Sequence, residues 1–310
     1  MKTVFIDGSA GTTGLRIHQR LAQRRDLKLL TLPESCRKDP AARRDAMSQS
    51  DAAFLCLPDD AAIEAADLMA GAPLTLLDTS TAHRTSPGWA YGFPELGPAF
   101  ARAVQQGSRI AVPGCHASGF IALVRPLVEA GLLSPTARLS CHSVTGYSGG
   151  GKKMIAQYEA PDRDGLLDAP RQYALGQTHK HLKEMQAVCG LDAAPIFCPI
   201  VADFYSGMVV TVPLFREDLQ GNATADHIRQ LYGDLYRGPV VRYLPQMDEA
   251  GFLSGAGLSG RDSMELTVAG NDQRILLLAR YDNLGKGASG AAIQCLNLSL
   301  GCDITEGLVL

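Results

Sequence analysis

The stretch Thr3-Val4-Phe5-Ile6-Asp7-Gly8-Ser9-Ala10-Gly11-Thr12-Thr13-Gly14 decides the fold. An apolar strand, Thr3 to Ile6, runs straight into glycines spaced G-x-x-G-x-x-G, and Leu15 to Ala22 follow with helical periodicity. Glycines let a backbone approach a pyrophosphate closely, and the amides of the helix start donate to it. The spacing is a variant of the dinucleotide fingerprint, with Gly8, Gly11, Thr12, Thr13 and Gly14 as candidate cofactor contacts; a plain tight turn is the alternative. Outward from the loop, strands (27–32, 52–57, 74–77) alternate with helices (39–48, 60–69). Such alternation implies a parallel sheet with helical crossovers. Leu57 and Pro58 end the third strand where a cofactor would lie, although a simple strand-to-helix turn explains them equally. Glu34 stands where an acid bonds a ribose hydroxyl and favours NAD, whereas Arg37 and Lys38 suit a 2′-phosphate. The residues alone leave that choice open.

Further on, Val112-Pro113-Gly114-Cys115-His116-Ala117-Ser118-Gly119 places a cysteine where a strand, Ile110 to Val112, hands over to a helix. Amides and the dipole at a helix start favour a thiolate. Cys115 is thus a candidate nucleophile, with a buried structural thiol as the alternative.

Composition bounds the rest. A chain of 310 residues, 46% hydrophobic and 20% charged, can bury a large core and is long enough for two domains. The net charge of −3 and the lack of a long basic run speak against nucleic acid and anionic membranes. No apolar run approaches the roughly 18 residues that span a bilayer, so a cytoplasmic location is expected. The 8 cysteines include no C-x-x-C pair, which argues for reduced thiols and against structural zinc.

A second cluster is Tyr173 with His179-Lys180-His181 and Glu184. It presents imidazoles and an acid toward one pocket, or else a solvated helix start capped by Thr178. The H-x-H spacing admits a metal reading, but no third ligand stands nearby and no metal is expected. Arg84 follows a strand end, able to hold an anion or to lie on the surface. Ser148, in Gly146-Tyr147-Ser148-Gly149-Gly150-Gly151, sits in a loop that suits phosphate or plain flexibility and lacks the full P-loop pattern. Asn283 and Gly287 open a small-residue helix that would return to the first domain near the cofactor, or serve only close packing.

In this order, Gly8–Leu15, Cys56–Asp60, Tyr91–Leu96, Pro113–Cys115, His179–His181 with Glu184, and Asp282–Gly290 resemble the short (type 2) form of the N-acetyl-gamma-glutamyl-phosphate reductases. The resemblance covers nearly the whole chain. It implies an α/β fold: a Rossmann-type dinucleotide-binding domain (1–114 and 286–310) and an α+β catalytic and oligomerisation domain (115–285) resembling glyceraldehyde-3-phosphate dehydrogenase. It further implies NADP(H), an acyl phosphate substrate in arginine biosynthesis, and a homo-oligomer, dimer or tetramer. By matched motif Cys115 is the nucleophile and His179 the acid/base, with Arg84, Tyr173, His181 and Glu184 lining the substrate site. His116 and Ser118 depart from the longer form, where an aromatic and a threonine are common. Aspartate-semialdehyde dehydrogenase, a lysine-pathway acyl-phosphate reductase and a non-catalytic NADP-binding regulator are the alternatives.

Overall fold

The computed structural model describes residues 1–310 and divides them into two units, 1–113 with 288–308, and 114–287 with 309–310. In unit 1, strands β1 (Lys2–Asp7), β2 (Leu27–Leu30), β3 (Ala52–Leu55), β4 (Thr75–Asp78), β5 (Ala90–Tyr91) and β6 (Arg109–Ala111) form one sheet in the order β2-β1-β3-β4-β6-β5. Every neighbouring pair is parallel. Helices α1 (Thr12–Leu21), α2 (Pro40–Ser48), α3 (Asp59–Leu68) and α4 (Pro98–Gln106) are the crossovers.

Alternation along the strands sorts two cores onto the two faces. Val4 and Ile6 pack with Ile17 and Leu21 of α1, Val104 of α4, and the helix Gly290–Leu300, which returns through Ala291, Ile293 and Leu296. Phe5 turns the other way, toward Met47 of α2 and Ala62 and Ala65 of α3. A sheet covered on both sides needs continuous apolar strands, and these have them. The chain steps from β1 to β2 on one side and places β3 on the other. The crevice of such a sheet therefore opens at the carboxyl ends of β1 and β3.

In unit 2, strands β7 (Ser140–Gly146), β8 (Arg171–Gln172), β9 (Ile196–Ala202), β10 (Met208–Phe215), β11 (Val241–Tyr243), β12 (Met264–Gly270) and β13 (Arg274–Tyr281) form a mixed sheet, β11-β12-β13-β10-β7-β9-β8. Helices α5 (Cys115–Glu129), α6 (Gly151–Glu159), α7 (His181–Cys189) and α8 (Ala225–Leu235) accompany it. The last two residues join this unit, not the first as the expected 286–310 return would have it. Val309 N–H donates to Asp262 Oδ2 at 2.8 Å, and Arg261 holds the Leu310 carbonyl.

Helix α5 is apolar nearly all round, and Ala117, Phe120, Ile121, Ala122, Leu123, Val124 and Leu127 are fully buried. A helix of that composition can only be a core helix. It packs on α7, β10 and β13. Pro126 lies inside it and removes the amide that would bond the Ala122 carbonyl. The Tyr236 hydroxyl donates to that carbonyl at 2.7 Å instead, and the Tyr232 hydroxyl donates to Leu123 O. Tyr281 braces the other end: its hydroxyl donates to Cys115 O at 2.5 Å and accepts the Gly119 amide at 2.9 Å. Gly119 has to be glycine, since a Cβ there would lie 2.7 Å from the Tyr281 hydroxyl and 2.8 Å from Val210 Cγ2. Gly119→Ala is expected to destabilise unit 2 by about 1–3 kcal/mol, the usual cost of overpacking, read as a lower urea midpoint at unchanged slope.

Candidate active site

Two candidate sites occupy the two units. In unit 1, Gly8 has φ +84°, and a Cβ on it would fall 2.2 Å from the Cys56 carbonyl and 3.3 Å from Leu57 Cδ2. Gly14 is as tightly set, with a Cβ 2.4 Å from the Gly8 carbonyl, and Gly11 N–H donates to that carbonyl at 3.0 Å. The fold thus brings Gly8, Gly11, Gly14, Leu57 and Pro58 to the crevice at the ends of β1 and β3. No side chain caps α1, whose cap residue is Gly11, so its first amides face outward for an anion. This is a cradle that only glycine backbone leaves open, and it suits a dinucleotide. Buried Arg43 bonds Asp7 Oδ2 at 2.8 Å at the mouth of the loop. On the loop after β2, Glu34 and Arg37 form an exposed ion pair at 2.7 Å. The two residues that the sequence set against each other are partners.

Arg84 is buried in unit 1, where Nε donates to Val112 O at 2.9 Å and Nη2 to Thr79 O at 3.1 Å. These bonds tie strand ends together and occupy two edges of the guanidinium that the anion-binding expectation assigned to substrate. Beside it Asp78, fully buried, accepts from Ser80 Oγ and His83 Nδ1, both at 2.7 Å.

Unit 2 holds Cys115. Gly114 has the extended backbone of a cap residue, its carbonyl accepts the Ser118 amide at 2.9 Å, and Cys115 opens α5. Glu184, buried on the first turn of α7, accepts the Gly114 amide on Oε1 at 2.9 Å. It braces the turn that presents the thiol. Gly287 closes the opposite side, since a Cβ there would lie 3.0 Å from Cys115 Cβ and 3.0 Å from Asp282 O. Its amide bonds that same Asp282 carbonyl across a π-helical turn, Gly285–Ser289. Asn283 bonds Ser148 Oγ at 3.0 Å and accepts the Gly207 amide at 2.8 Å, so these two candidate residues meet within unit 2.

The aromatic cluster lies next to the start of α5. His179 has ring centroids 4.7 Å from His181, 5.8 Å from His116, 6.1 Å from Tyr173 and 5.1 Å from Phe197. Cys115, Tyr173 and His179 are partly exposed, whereas His116, His181, Glu184 and Phe197 are buried beneath them. His116 lies with Nδ1 2.7 Å from Ser143 Oγ and Nε2 2.7 Å from Tyr173 Oη. Burial, and then the neighbouring His179, push its pKa down to about 3, so it is a neutral ring at any working pH. Burial and the nearby Cys115 charge raise the Tyr173 phenol well above its ordinary value. Tyr173 therefore stays protonated.

The segment 173–180 is pinned from outside the site. Tyr173 N–H donates to Pro199 O at 3.0 Å, and the Gln177 amide clamps Phe197 through both backbone groups, at 2.8 and 2.9 Å. Ala174 and Gln177 both take positive φ, 53° and 54°, which the clamp holds in place. Thr178 is not the helix cap: Lys180 is, already in helical conformation, and His179 Nδ1 accepts the His181 amide at 3.2 Å. With Nδ1 accepting, Nε2 is the protonated nitrogen of the neutral ring. Sequence reading missed Ser143, Gln177 and Phe197, and treated His116 only as a departure. The one local signal was that His116 directly follows the cysteine.

Comparison with known proteins fits this geometry. The family "Semialdehyde dehydrogenase, dimerisation domain" matches residues 115–283. The chain is 45% identical over 305 residues to N-acetyl-gamma-glutamyl-phosphate reductase 2 of Pseudomonas putida, covering 96% of each, and 44% identical over 304 residues to N-acetyl-gamma-glutamyl-phosphate reductase of Sinorhizobium medicae, covering 96% and 98%. Among solved structures it is similar to aspartate semialdehyde dehydrogenase II of Vibrio cholerae (TM-score 0.73, 16% identity, 97% and 98% covered) and to the Candida albicans enzyme with NADP (0.68, 15%, 96% and 98%). At that identity the structures speak for the fold, a Rossmann-type unit with a unit of the semialdehyde dehydrogenase and glyceraldehyde-3-phosphate dehydrogenase kind.

Burial, then the Lys180 charge, lower the His179 pKa. Removing a like charge favours the charged imidazolium, so Lys180→Ala is expected to move the His179 titration, followed by NMR, to higher pH while it stays below that of free histidine. An unmoved midpoint would leave burial as the sole cause.

Proposed function

Because the chain belongs to the N-acetyl-gamma-glutamyl-phosphate reductase family, we propose that it reduces N-acetyl-L-glutamyl 5-phosphate to N-acetyl-L-glutamate 5-semialdehyde and phosphate, in arginine biosynthesis, with NADPH. The observation that carries this reading is Cys115 itself. It is the partly exposed first residue of a buried helix, its preceding turn held by Glu184 and its Cβ packed against Gly287, with Tyr173 near enough to feel its charge and His179 packed near the ring of the next residue, His116.

The chemistry follows from these residues. The Cys115 thiolate attacks the acyl carbon, the carbon–oxygen bond to phosphate breaks, and an acyl thioester remains. Amides at the start of α5 face the oxygen that gains charge. NADPH supplies the hydride that brings the acyl group to the aldehyde level. His179, once protonated and released from the His181 amide at Nδ1, gives the Nε2 proton to the thiohemiacetal oxygen, and the neutral ring takes it back as the carbon–sulfur bond breaks. Tyr173, Ser148, His181 and Glu184 line or support the acyl pocket. Arg84 enters through the Val112 carbonyl it holds, next to the Pro113-Gly114 turn. The glycine cradle of unit 1, with Thr12, Thr13, Leu57 and Pro58, would hold the dinucleotide. Arg37 and Lys38 suit the 2′-phosphate, Gly287 packs against Cys115, and Asn283 holds Ser148. All 8 cysteines are free thiols, which supports a reducing, cytoplasmic setting. No helix is long and apolar enough to cross a membrane.

The second sheet also supports a homo-oligomer. Along β10, Val210, Val212 and Leu214 are buried, whereas Val209, Thr211 and Pro213 face outward, half-exposed. Val209 pairs with Val144, which pairs with Ile200; Pro213 pairs with Leu276. This face, apolar at these positions and interrupted by Thr211 opposite His142 and by Arg280 opposite Val209, lies within the residues that match a dimerisation domain, and a second copy of the chain is its proposed cover.

Two outcomes test the reading. The purified protein should reduce NADP with N-acetyl-L-glutamate 5-semialdehyde only when phosphate is present, and Cys115→Ala should abolish turnover while NADPH binding persists; preference for aspartate semialdehyde would move the assignment to that dehydrogenase. Val209→Asp should lower the sedimenting mass to that of a single chain, and an unchanged mass would place the interface elsewhere.

A further inference from the structure

The hydrogen-bond chain behind Tyr173 has a direction, and burial sets it. Ser143 is fully buried in the middle of β7, and its hydroxyl has one partner, His116 Nδ1. A hydroxyl carries one proton. Were His116 to donate from Nδ1, that proton would be stranded in the core at the cost of an unmade buried bond. Ser143 therefore donates, Nδ1 accepts, and the single proton of the neutral ring sits on Nε2. Nε2–H then donates to Tyr173 Oη, 2.7 Å away. With its oxygen receiving from behind, the phenol turns its own proton outward, on the partly exposed side of the ring.

We propose that Ser143 and His116 are positioning residues that lock the Tyr173 hydroxyl as a hydrogen-bond donor to an acceptor oxygen of the substrate, a carbonyl or phosphoryl oxygen, and never as an acceptor for its N–H groups. The nature of that oxygen rests on the acyl-phosphate reading above; the polarity of the chain does not. Two conditions keep the lock closed. His116 is held neutral by burial, so Nδ1 stays open to Ser143 across the working pH range. Tyr173 keeps its proton because burial and the Cys115 charge oppose its loss. Together these produce a donor that cannot reverse. An aromatic ring in place of His116 would fill space but give no direction, so the departure noted in the sequence acquires a function.

The test reads the tautomer and the kinetics separately. With histidine labelled in nitrogen, two-bond proton–nitrogen correlation spectra of the wild-type protein should show His116 protonated on Nε2 at neutral pH, and a ring protonated on Nδ1 overturns the proposal without reference to any substrate. Ser143→Ala removes the donor that pins Nδ1 as an acceptor and should lower the Nε2-protonated share so that both tautomers are populated, whereas Ser143→Thr, which keeps the hydroxyl, should retain the original one. In turnover, Tyr173→Phe and Ser143→Ala should each lower kcat by roughly 10–100-fold, up to the size reported for loss of a single preorganised donor. The double variant should fall no further than the worse single, and Ser143→Thr should recover most of the rate. Additive losses, or an unimpaired Tyr173→Phe, would show that the hydroxyl is not the point of action. A correct wild-type tautomer with no acetylglutamyl turnover would sink the functional reading and leave the hydrogen-bond polarity standing.

Discussion

A helix that is apolar nearly all round has to be buried over most of its length, and the backbone groups that its own turns leave unpaired must then find partners inside the protein. Helix α5 lives under that constraint. Tyr281 spans its first turn, Tyr232 and Tyr236 serve the carbonyls near Pro126, and Glu184 receives the amide of Gly114 just ahead of it. Each partner comes from a distant part of the chain. Once these bonds are made the helix start has no freedom to shift, and Cys115 inherits that fixity. The position is rigid because burying the helix requires its end to be satisfied, and Glu184 meets that need at the Gly114 amide.

The same economy shapes the surroundings of the thiol. Groups that can meet a substrate, Cys115, Tyr173 and His179, sit at the partly exposed level, and a buried level of His116, Phe197, His181 and Glu184 orients them. Two histidines in one cluster have separate duties. His179 keeps Nε2 toward the site because the His181 amide occupies Nδ1, while His116 is kept from titrating by its depth. Burial thus sets His116 apart, as a ring that stays neutral, from the less deeply placed His179.

Much of this was legible in the linear sequence, and what was not has a common cause. The glycine loop could be read because one short segment holds strand, turn and helix; Gly14 is forced by the loop's own backbone, whereas the close approach of Cys56 that also demands Gly8 appears only in the folded sheet. Cys115 could be read because the strand, the Pro-Gly punctuation and the helix are contiguous. Glu184 could be placed in the pocket but not on the Gly114 amide, since those residues are 70 positions apart and only the packing of α7 on α5 joins them. Gln177 gave no signal at all, because its clamp on Phe197 spans 20 positions and its positive φ is imposed from outside. Arg84 shows a related ambiguity. A guanidinium at a strand end looks the same whether it awaits an anion or ties down carbonyls, and only the folded chain tells the two apart.

The return of the carboxy-terminal helix to unit 1 bears on how the protein is made. Ala291, Ala292, Ile293 and Leu296 are core residues of the amino-terminal sheet, so that sheet lacks one layer until the last segment has left the ribosome. Unit 2, by contrast, is contiguous from Gly114 to Gly287 apart from its last two residues. Domains commonly fold in the order they are synthesised. Here the core of unit 1 closes only with a segment that follows unit 2 in the chain, so Val4, Ile17 and Leu21 lack part of their cover until residues 291–296 have been made.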